Sequence, residues 1–544
     1  MTDGTWRAPD DPQSARIRGH VVAELDQIAS LYRLMFPGRA LAVEVRWNEQ
    51  DLIFPVVHED YEPHPAPLVG GSHVGRVLLP GDPGNTAPPL RVSVTMPDPD
   101  GSWEGPSERY WRTRSKIEHW GFAASPMAFD LVKHGLELFA RRFVEWKYKF
   151  DAQPGPRRNV FGPATTPASK DPAILIGLHW LEVGGAEALA FDTIRWALEA
   201  GLRVIAISER PSPERLRGRL PDDPRFRYIR ADRYVPRRLT GLLVRRLIET
   251  ENVRLTHNHH HAGLYEAMPA VRAAHPQVFN IDSTHIVEHR DGGYCRVSGV
   301  WSNYLDLRHV ISEGLGDFYR DRYGDRPTIR VGRMLSEAQR AAEPKPVRVG
   351  PGRKECRVAF VGRMVHQKRP LLVLQAARRL IPWGRRKGIA FRFDLVGEGG
   401  YLEPVRKMIE RYRLGEHVTL HPAGADVPAL LGESDVMLLP SSNEGLALVC
   451  YEAILAGCVP ITTDVGAQKE LVPGELLAPY SPLAAVSRSV GIVKRLLTEG
   501  GFAARVETDL HARLRVLAAD RRAEELLSPL YRAAAAGERI EVPD

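Results

Sequence analysis

Apolar residues recur along this chain with two different periods, and the changes of period divide it into regions. Near the start, Val21, Leu25, Ile28, Tyr32 and Met35 fall three or four apart and predict a helix over His20–Phe36. LAVEVRW (Leu41–Trp47) and RVSVTM (Arg91–Met96) alternate apolar with polar positions, as half-buried strands do. The helical period returns over about Met127–Phe150. There Phe129, Val132, Leu136, Phe139, Phe143, Trp146 and Phe150 form a seam like the a and d positions of a heptad. That seam fits packing against its own domain, a homodimer contact, or a peripheral membrane helix with Lys133, Arg141, Arg142, Lys147 and Lys149 beside it.

Asp151–Pro172 is rich in Pro and Gly and reads as a linker. Strands and helices then alternate. AILIGL (Ala173–Leu178) is a buried-strand run, a helix is expected near Ala186–Ala200, and LRVIAIS (Leu202–Ser208) is the next strand. Gly332–Glu355, with Pro344, Pro346 and Pro351, interrupts the alternation. RVAFVG (Arg357–Gly362) restarts it, and it runs to about Thr498 before a helical tail. The fold class predicted is α/β, with two doubly wound, Rossmann-like domains facing across a cleft and an N-terminal α+β extension. The boundaries are 1–150 for the extension, 151–172 for the linker, 173–340 and 341–505 for the two α/β domains, and 506–544 for the tail.

Composition narrows the class. A chain of 544 residues is too long for one core. No run of about 18 apolar residues occurs, which argues against a spanning helix, and the first residues lack the apolar core of a secretory signal. Cys295, Cys356, Cys450 and Cys458 are scattered, as in a reducing compartment, and form no metal-binding pair. The expected location is cytoplasmic, with peripheral contact at the inner face of the membrane kept open. The net charge of +7 is dispersed, without the basic and aromatic clusters that nucleic acid requires.

Two carboxylates stand out in SSNEGLALVCYEAILAGCVPITTDVG (Ser441–Gly466), a run without Lys or Arg. Glu444 falls in a loop after a predicted strand, immediately before a helix, where Gly445 allows close approach of a ligand. Glu452 falls mid-helix among apolar residues, where an unpaired carboxylate is costly to bury. Each also fits an ordinary surface or helix-end position. VAFVGRMVHQKRP (Val358–Pro370) repeats strand, loop and helix, and Arg363 and Lys368 there form a competent diphosphate clamp. FDLVGEGG (Phe393–Gly400) adds a third strand end with a glycine turn at Gly397.

These segments closely resemble the donor site of glycosyltransferase family 4, whose members are retaining GT-B enzymes using nucleotide-diphospho-sugars. The family's E-x7-E motif falls on Glu444 and Glu452, and its Gly-Arg…Lys motif on Gly362, Arg363 and Lys368. ILIGLHWLEVGGAE resembles the family's first strand and glycine loop, with Gly184, Gly185 and Glu187 matching. The resemblance covers about 357–475 and 173–320, and none of 1–165. It implies that the first α/β domain binds the acceptor and the second the donor. Glu452 would take the ribose hydroxyls and Glu444 the sugar. The amides of Gly445 and Leu446, with Arg363 and Lys368, would hold the diphosphate, so that no metal and no cofactor is needed. A donor of UDP or GDP type is implied.

LTHNHHHAG (Leu255–Gly263) places four histidines in five positions, without the spacing of a helical metal site. The resemblance implies that His257 or His259, with Glu187, lines the acceptor side, and that His285 lies near the reacting centre. Two features depart from the family pattern. TIRVGRM (Thr328–Met334) replaces its hinge motif, and Asp98–Asp100 imitates a metal motif of another transferase fold but reads as turn chemistry. The acceptor, whether glycan, lipid, small molecule or protein, is left open, and residues 1–150 are expected to help select it. Two alternatives stand beside the transferase: a nucleotide-sugar-binding protein without turnover, and a sugar-nucleotide epimerase.

Overall fold

The computed structural model describes residues 4–6, 24, 27–48, 56–58, 72–97, 120, 121, 124–148, 169, 171–182, 184–210, 212, 214–288, 292–324 and 326–543. Val21, Leu25, the Asp98–Asp100 turn, most of the 151–172 linker and Phe150 therefore lie outside the described residues, as does the side chain of Trp146.

The extension builds a five-stranded mixed sheet from β1 (Gly4–Trp6), β2 (Leu41–Asn48), β3 (Val56–His58), β4 (Ser72–Leu79) and β5 (Leu90–Pro97), in the order β1-β4-β2-β5-β3. Only β2 and β5 run parallel. Residues 27–35 are helical. Ile28, Leu31, Tyr32 and Met35 join Val43, Val92, Ile207, Tyr234 and Val244 in one apolar core, so the extension shares its interior with the next domain.

The first α/β domain has seven parallel strands, β6 (Ala173–Leu178), β7 (Arg203–Ser208), β8 (Phe226–Ile229), β9 (Val253–His259), β10 (Phe279–Thr284), β11 (Leu307–Val310) and β12 (Thr328–Val331). Their order is β12-β11-β10-β9-β6-β7-β8. The second domain has β13 (Glu355–Val361), β14 (Ala390–Val396), β15 (Val418–His421), β16 (Val436–Leu439), β17 (Val459–Thr463) and β18 (Leu477–Ala478), in the order β15-β14-β13-β16-β17-β18. Strands such as β6 and β16 are buried along their whole length, because helices cover both faces of a parallel sheet. In each domain the order reverses beside the first strand, between β6 and β9 and between β13 and β16. A doubly wound sheet opens its ligand crevice there, at the carboxyl ends of the strands.

The tail makes two helices. Phe502–Ala519 buries Phe502, Val506 and Leu510 in the core of the second domain. Ala523–Ala535 returns to the first domain and buries Leu526, Leu527 and Tyr531 against Ile174, Ile176 and Leu307. The replaced hinge motif lies where this crossing passes. Arg333 is buried there, donating to Glu470 at 2.6 Å, to Asp520 at 2.8 Å and to the Ile311 carbonyl at 3.1 Å.

Of the three readings its apolar seam allowed, packing against the extension is not what helix α1 (Pro126–Tyr148) does. Val132, Leu136, Phe139 and Phe143 are 59%, 65%, 74% and 52% exposed, whereas Met127 and Phe129 pack on the core of the second domain. Buried instead are Asp130 and His134. The helix turns its ionisable face to the second domain.

Candidate functional site

The loop after β13 leads into helix α2 (Pro370–Lys387), with Pro370 in the first turn, where its missing N–H costs nothing. Lys368 reaches across to the loop after β16, where its Nζ lies 2.6 Å from Glu444 Oε1. The two carboxylate and ammonium side chains are nearly buried, and the lysine removes the cost of a lone carboxylate. The sequence assigned the two residues to different parts of a donor; here they meet directly. Arg363 is exposed and has no ion-pair partner among the described residues.

Glycine is required at the loops that press together. At Gly397, φ is +139° and a Cβ would lie 2.1 Å from the Gly362 carbonyl oxygen. At Gly445, a Cβ would lie 2.0 Å from the carbonyl oxygen of His285, a residue of the first domain. The two domains therefore touch at this point, and Asn443 Nδ2 donates to the Val287 carbonyl at 2.7 Å beside it. Leu446 is buried next in the chain. The Gly445 carbonyl accepts from Ala467 N at 2.8 Å, and Gln468 Oε1 accepts from Ala447 N at 3.1 Å. Ala447, the N-cap of helix α3 (Leu448–Leu455), has no side-chain group with which to cap it. Glu452, on that helix, is half-buried, and Gln339 Nε2 approaches it at 3.5 Å. Burial raises its pKa above the usual glutamate value.

On the facing domain the four histidines separate. Residues two apart on a strand share a face, so His257 and His259 stack at 4.3 Å between ring centroids. His257 is fully buried, with Nδ1 2.7 Å from Tyr531 Oη and Nε2 2.7 Å from Ser283 Oγ. Both its nitrogens are engaged inside the domain, so it has none to offer an acceptor, contrary to the expectation from sequence. His259 Nε2 pairs with Thr193 Oγ1 at 3.0 Å, and the ring is buried. His261 accepts from Leu264 N at the start of the following helix.

His260 and His285 are placed differently. His260 has φ +63°, which turns its ring out of the strand onto Tyr294 at 4.8 Å and edge-on to His285 at 5.2 Å. Neither ring nitrogen of His285, nor His260 Nε2, has a hydrogen-bond partner among the described residues. Burial pulls both pKa values well below the ordinary histidine range, so both rings are neutral. Neutral, unpartnered imidazoles beside a domain contact are suited to polar hydroxyls. Gly184 and Gly185 open the helix after β6, and Glu187 Oε1 accepts from Trp180 Nε1 at 2.7 Å. Sequence reasoning missed His260 and Tyr294. The signal for His260 was present in the two-residue period of β9, which sets residues 257 and 259 on one face and leaves 260 off it.

Residues 344–482 match the family described as Glycosyl transferases group 1. The chain is 31% identical over 202 residues to the D-inositol 3-phosphate glycosyltransferase of Salinispora tropica, covering 34% of this chain and 40% of that protein. It is 30% identical over 142 residues to the glycogen synthase of Thermodesulfovibrio yellowstonii, covering 25% and 28%. The chain spans less than half the length of these relatives. Among solved structures, the sucrose-phosphate synthase of Thermosynechococcus elongatus superposes with a TM-score of 0.51 at 19% identity, over 68% of this chain and all of that one. Two Rossmann-like domains meeting across a cleft are thus a GT-B fold, and residues 344–482 of this chain match the group 1 glycosyl transferases.

Proposed function

We propose that this protein is a retaining glycosyltransferase that moves a sugar from a nucleotide-diphospho-sugar to an acceptor hydroxyl. The observation that carries the proposal is the Lys368–Glu444 pair, set at the carboxyl ends of β13 and β16 and one residue from the contact between Gly445 and His285. Lys368 and the exposed Arg363 supply fixed positive charge for a departing diphosphate, and this is the work a divalent cation performs in other transferases. The Gly445 and Leu446 amides and the uncapped start of α3 add donors to it. Glu452, whose carboxylate has no ion-pair partner among the described residues, suits ribose hydroxyls. Glu444 addresses the sugar, while His285 and His260 face the reacting carbon or the acceptor.

In the reaction, the bond from the anomeric carbon to the diphosphate oxygen breaks and a bond to the acceptor oxygen forms on the same face. The acceptor proton passes to the leaving phosphate oxygen. Cytoplasmic residence, peripheral membrane contact and homodimerisation through the extension stay within this proposal. Among the described residues, no helix is long and apolar enough to cross a membrane.

A thermal-shift screen of UDP-, GDP- and ADP-sugars, followed by nucleoside diphosphate release, tests the reading. Stabilisation by one donor and product release lost in Lys368→Ala and Glu444→Ala are expected. Wild-type rates in both variants would sink the proposal. Conversion of sugar nucleotide without acceptor would favour the epimerase, and binding without release the non-catalytic alternative.

A further inference from the structure

Helix α1 carries Asp130, His134, Glu137 and Arg141 at steps of four, three and four, a spacing that places them on one face. Each meets the donor-side domain. Asp130 Oδ1 lies 2.9 Å from His366 Nδ1 and accepts from Tyr401 Oη at 3.1 Å. His134 Nδ1 accepts a hydrogen bond from Arg369 Nη2 at 2.7 Å, and Glu137 Oε2 lies 3.5 Å from His366 Nε2. Arg141 donates to the Ser442 carbonyl at 2.9 Å, with its guanidinium over the Tyr480 ring at 4.0 Å.

The partners are not scattered. His366 and Arg369 lie in the loop after β13, Tyr401 in the loop after β14, Ser442 in the loop after β16, and Tyr480 after β18. These are strand carboxyl ends, where the donor site is built. The two loops that matter most are also tied to each other. Ser442 N donates to the Gln367 carbonyl at 2.7 Å, and Gln367 Nε2 donates to the Asn443 carbonyl at 2.8 Å. Lys368 and Glu444 stand within two residues of these anchors.

Apolar burial does not account for where this helix sits, since most of its apolar seam points outward. Burying Asp130 alone would cost several kcal/mol (on the order of 3), so the ionic contacts fix the helix's register. A carboxylate only accepts, so carboxylates facing both nitrogens of His366 favour its charged, doubly protonated form. The groups acting on that ring are Asp130, Glu137, Lys133, His134 and Tyr401. Burial alone would lower the His366 pKa, and Asp130 and Glu137 outweigh it and raise it. Glu137 is brought down to about 2 by the His366 ring and nearby arginines, against the opposing effect of burial. Burial and then Arg369 hold His134 at about 4, in the neutral form its contact requires.

We propose that Asp130, Glu137 and Arg141 are positioning residues for the donor site, holding the loop of Lys368 against the loop of Glu444 at the spacing a diphosphate-linked sugar needs. The extension is then part of the donor machinery as well as a neighbour of the acceptor domain. This inference rests on the donor-site reading above.

The test is titration of UDP and GDP into the full chain, with donor KM and kcat, for wild type, Asp130→Asn/Glu137→Gln and Arg141→Ala. Nucleotide Kd and donor KM are expected to rise about tenfold, with kcat within about twofold. Phe139→Ser, on the outward face, should leave both unchanged and shows that the helix remains docked. Wild-type KM should worsen as pH rises through the His366 pKa, and His366→Gln should remove that dependence. If wild type binds nucleotide and the double variant binds equally across this pH range, the inference is overturned while the donor reading stands. If wild type binds neither nucleotide, the donor reading itself fails. Should the double variant unfold, Arg141→Ala and the His366→Gln pH profile decide the question alone.

Discussion

Lys368 Nζ stands 2.6 Å from Glu444 Oε1, joining the loops after two neighbouring strands, β13 and β16. Removing one partner strands the other in a nearly buried place, at a cost of about 1–3 kcal/mol. Lys368→Ala and Glu444→Ala should therefore each lower the melting temperature. Lys368→Met/Glu444→Gln should recover most of it, because no unpaired charge is left. On the proposed function, turnover should fall by about 10²-fold or more in all three, through loss of the cation proposed to face the diphosphate where Lys368 is replaced and through loss of the carboxylate proposed to face the sugar where Glu444 is replaced. Calorimetry and nucleoside diphosphate release measure the two effects separately.

Gly445→Ala is expected to act between the domains. Its new methyl would meet the His285 carbonyl oxygen at 2.0 Å, a backbone atom that cannot turn aside. The domains must then separate locally, which also strains the Asn443–Val287 hydrogen bond. We expect a small change in stability and a loss of turnover of about tenfold or more, because misplacement by an ångström is enough to slow an oriented reaction. Small-angle scattering of the variant should show a wider particle.

A directed hydrogen-bond chain runs through the sheet of the first α/β domain, and its sense follows from its end. The Gly332 carbonyl only accepts, so His309 donates from Nε2 at 2.9 Å and accepts at Nδ1 from Ser283 at 2.8 Å. Ser283 in turn accepts from His257 Nε2, whose Nδ1 accepts from Tyr531 Oη. Tyr531→Phe leaves a buried acceptor unmade and should cost about 1–3 kcal/mol. Because the chain needs neutral rings, burial holds the His309 pKa down at about 4 and that of His257 lower than its ordinary value. A depressed native pKa means that the unfolded chain binds more protons at acid pH. Stability from these histidines is thus complete above about pH 6.5 and lost as pH falls below it. Melting temperatures from pH 8 to 5 should fall at the acid end, and less steeply in His309→Gln.

Deleting residues 1–165 should unfold or aggregate the remainder, so the extension cannot be removed as a separate acceptor-selecting module. Ile28, Leu31, Tyr32 and Met35 are buried in the core that holds Ile207, Tyr234 and Val244. Tyr32 Oη also donates to the Tyr234 carbonyl at 2.7 Å, and Glu24 pairs with Arg230 at 2.8 Å. Tyr32→Ala alone should cost about 3–5 kcal/mol, as for other large buried side chains. A soluble, cooperatively melting fragment 166–544 would contradict this.

Much of the fold was legible in the chain. Runs such as AILIGL and RVAFVG are apolar along their length because both sheet faces are covered, and the turns between them are marked by Gly and Pro. The proposed donor loops could be read for the same reason: Gly362, Gly397, Glu444 and Lys368 lie in short stretches directly after predicted strands, where chain order already dictates place. The seam of α1 could be counted, but its facing could not. A helical period says which residues share a face, and only the partners decide which face turns inward.

What the sequence determined by itself was therefore the local part: two alternating α/β series, their strand ends, and the residues clustered there. What tertiary structure decided was every pairing over long separation. Lys368 meets Glu444, Asp130 meets His366, Tyr531 meets His257, and Gly445 meets the His285 carbonyl. The histidines show the physical reason. LTHNHHHAG presents four nearly equivalent imidazoles, and their roles differ because Ser283, Tyr531, Thr193 and Tyr294 arrive from distant parts of the chain. Whether a buried polar group is satisfied depends on what packs against it, and periodicity in one stretch carries no information about that.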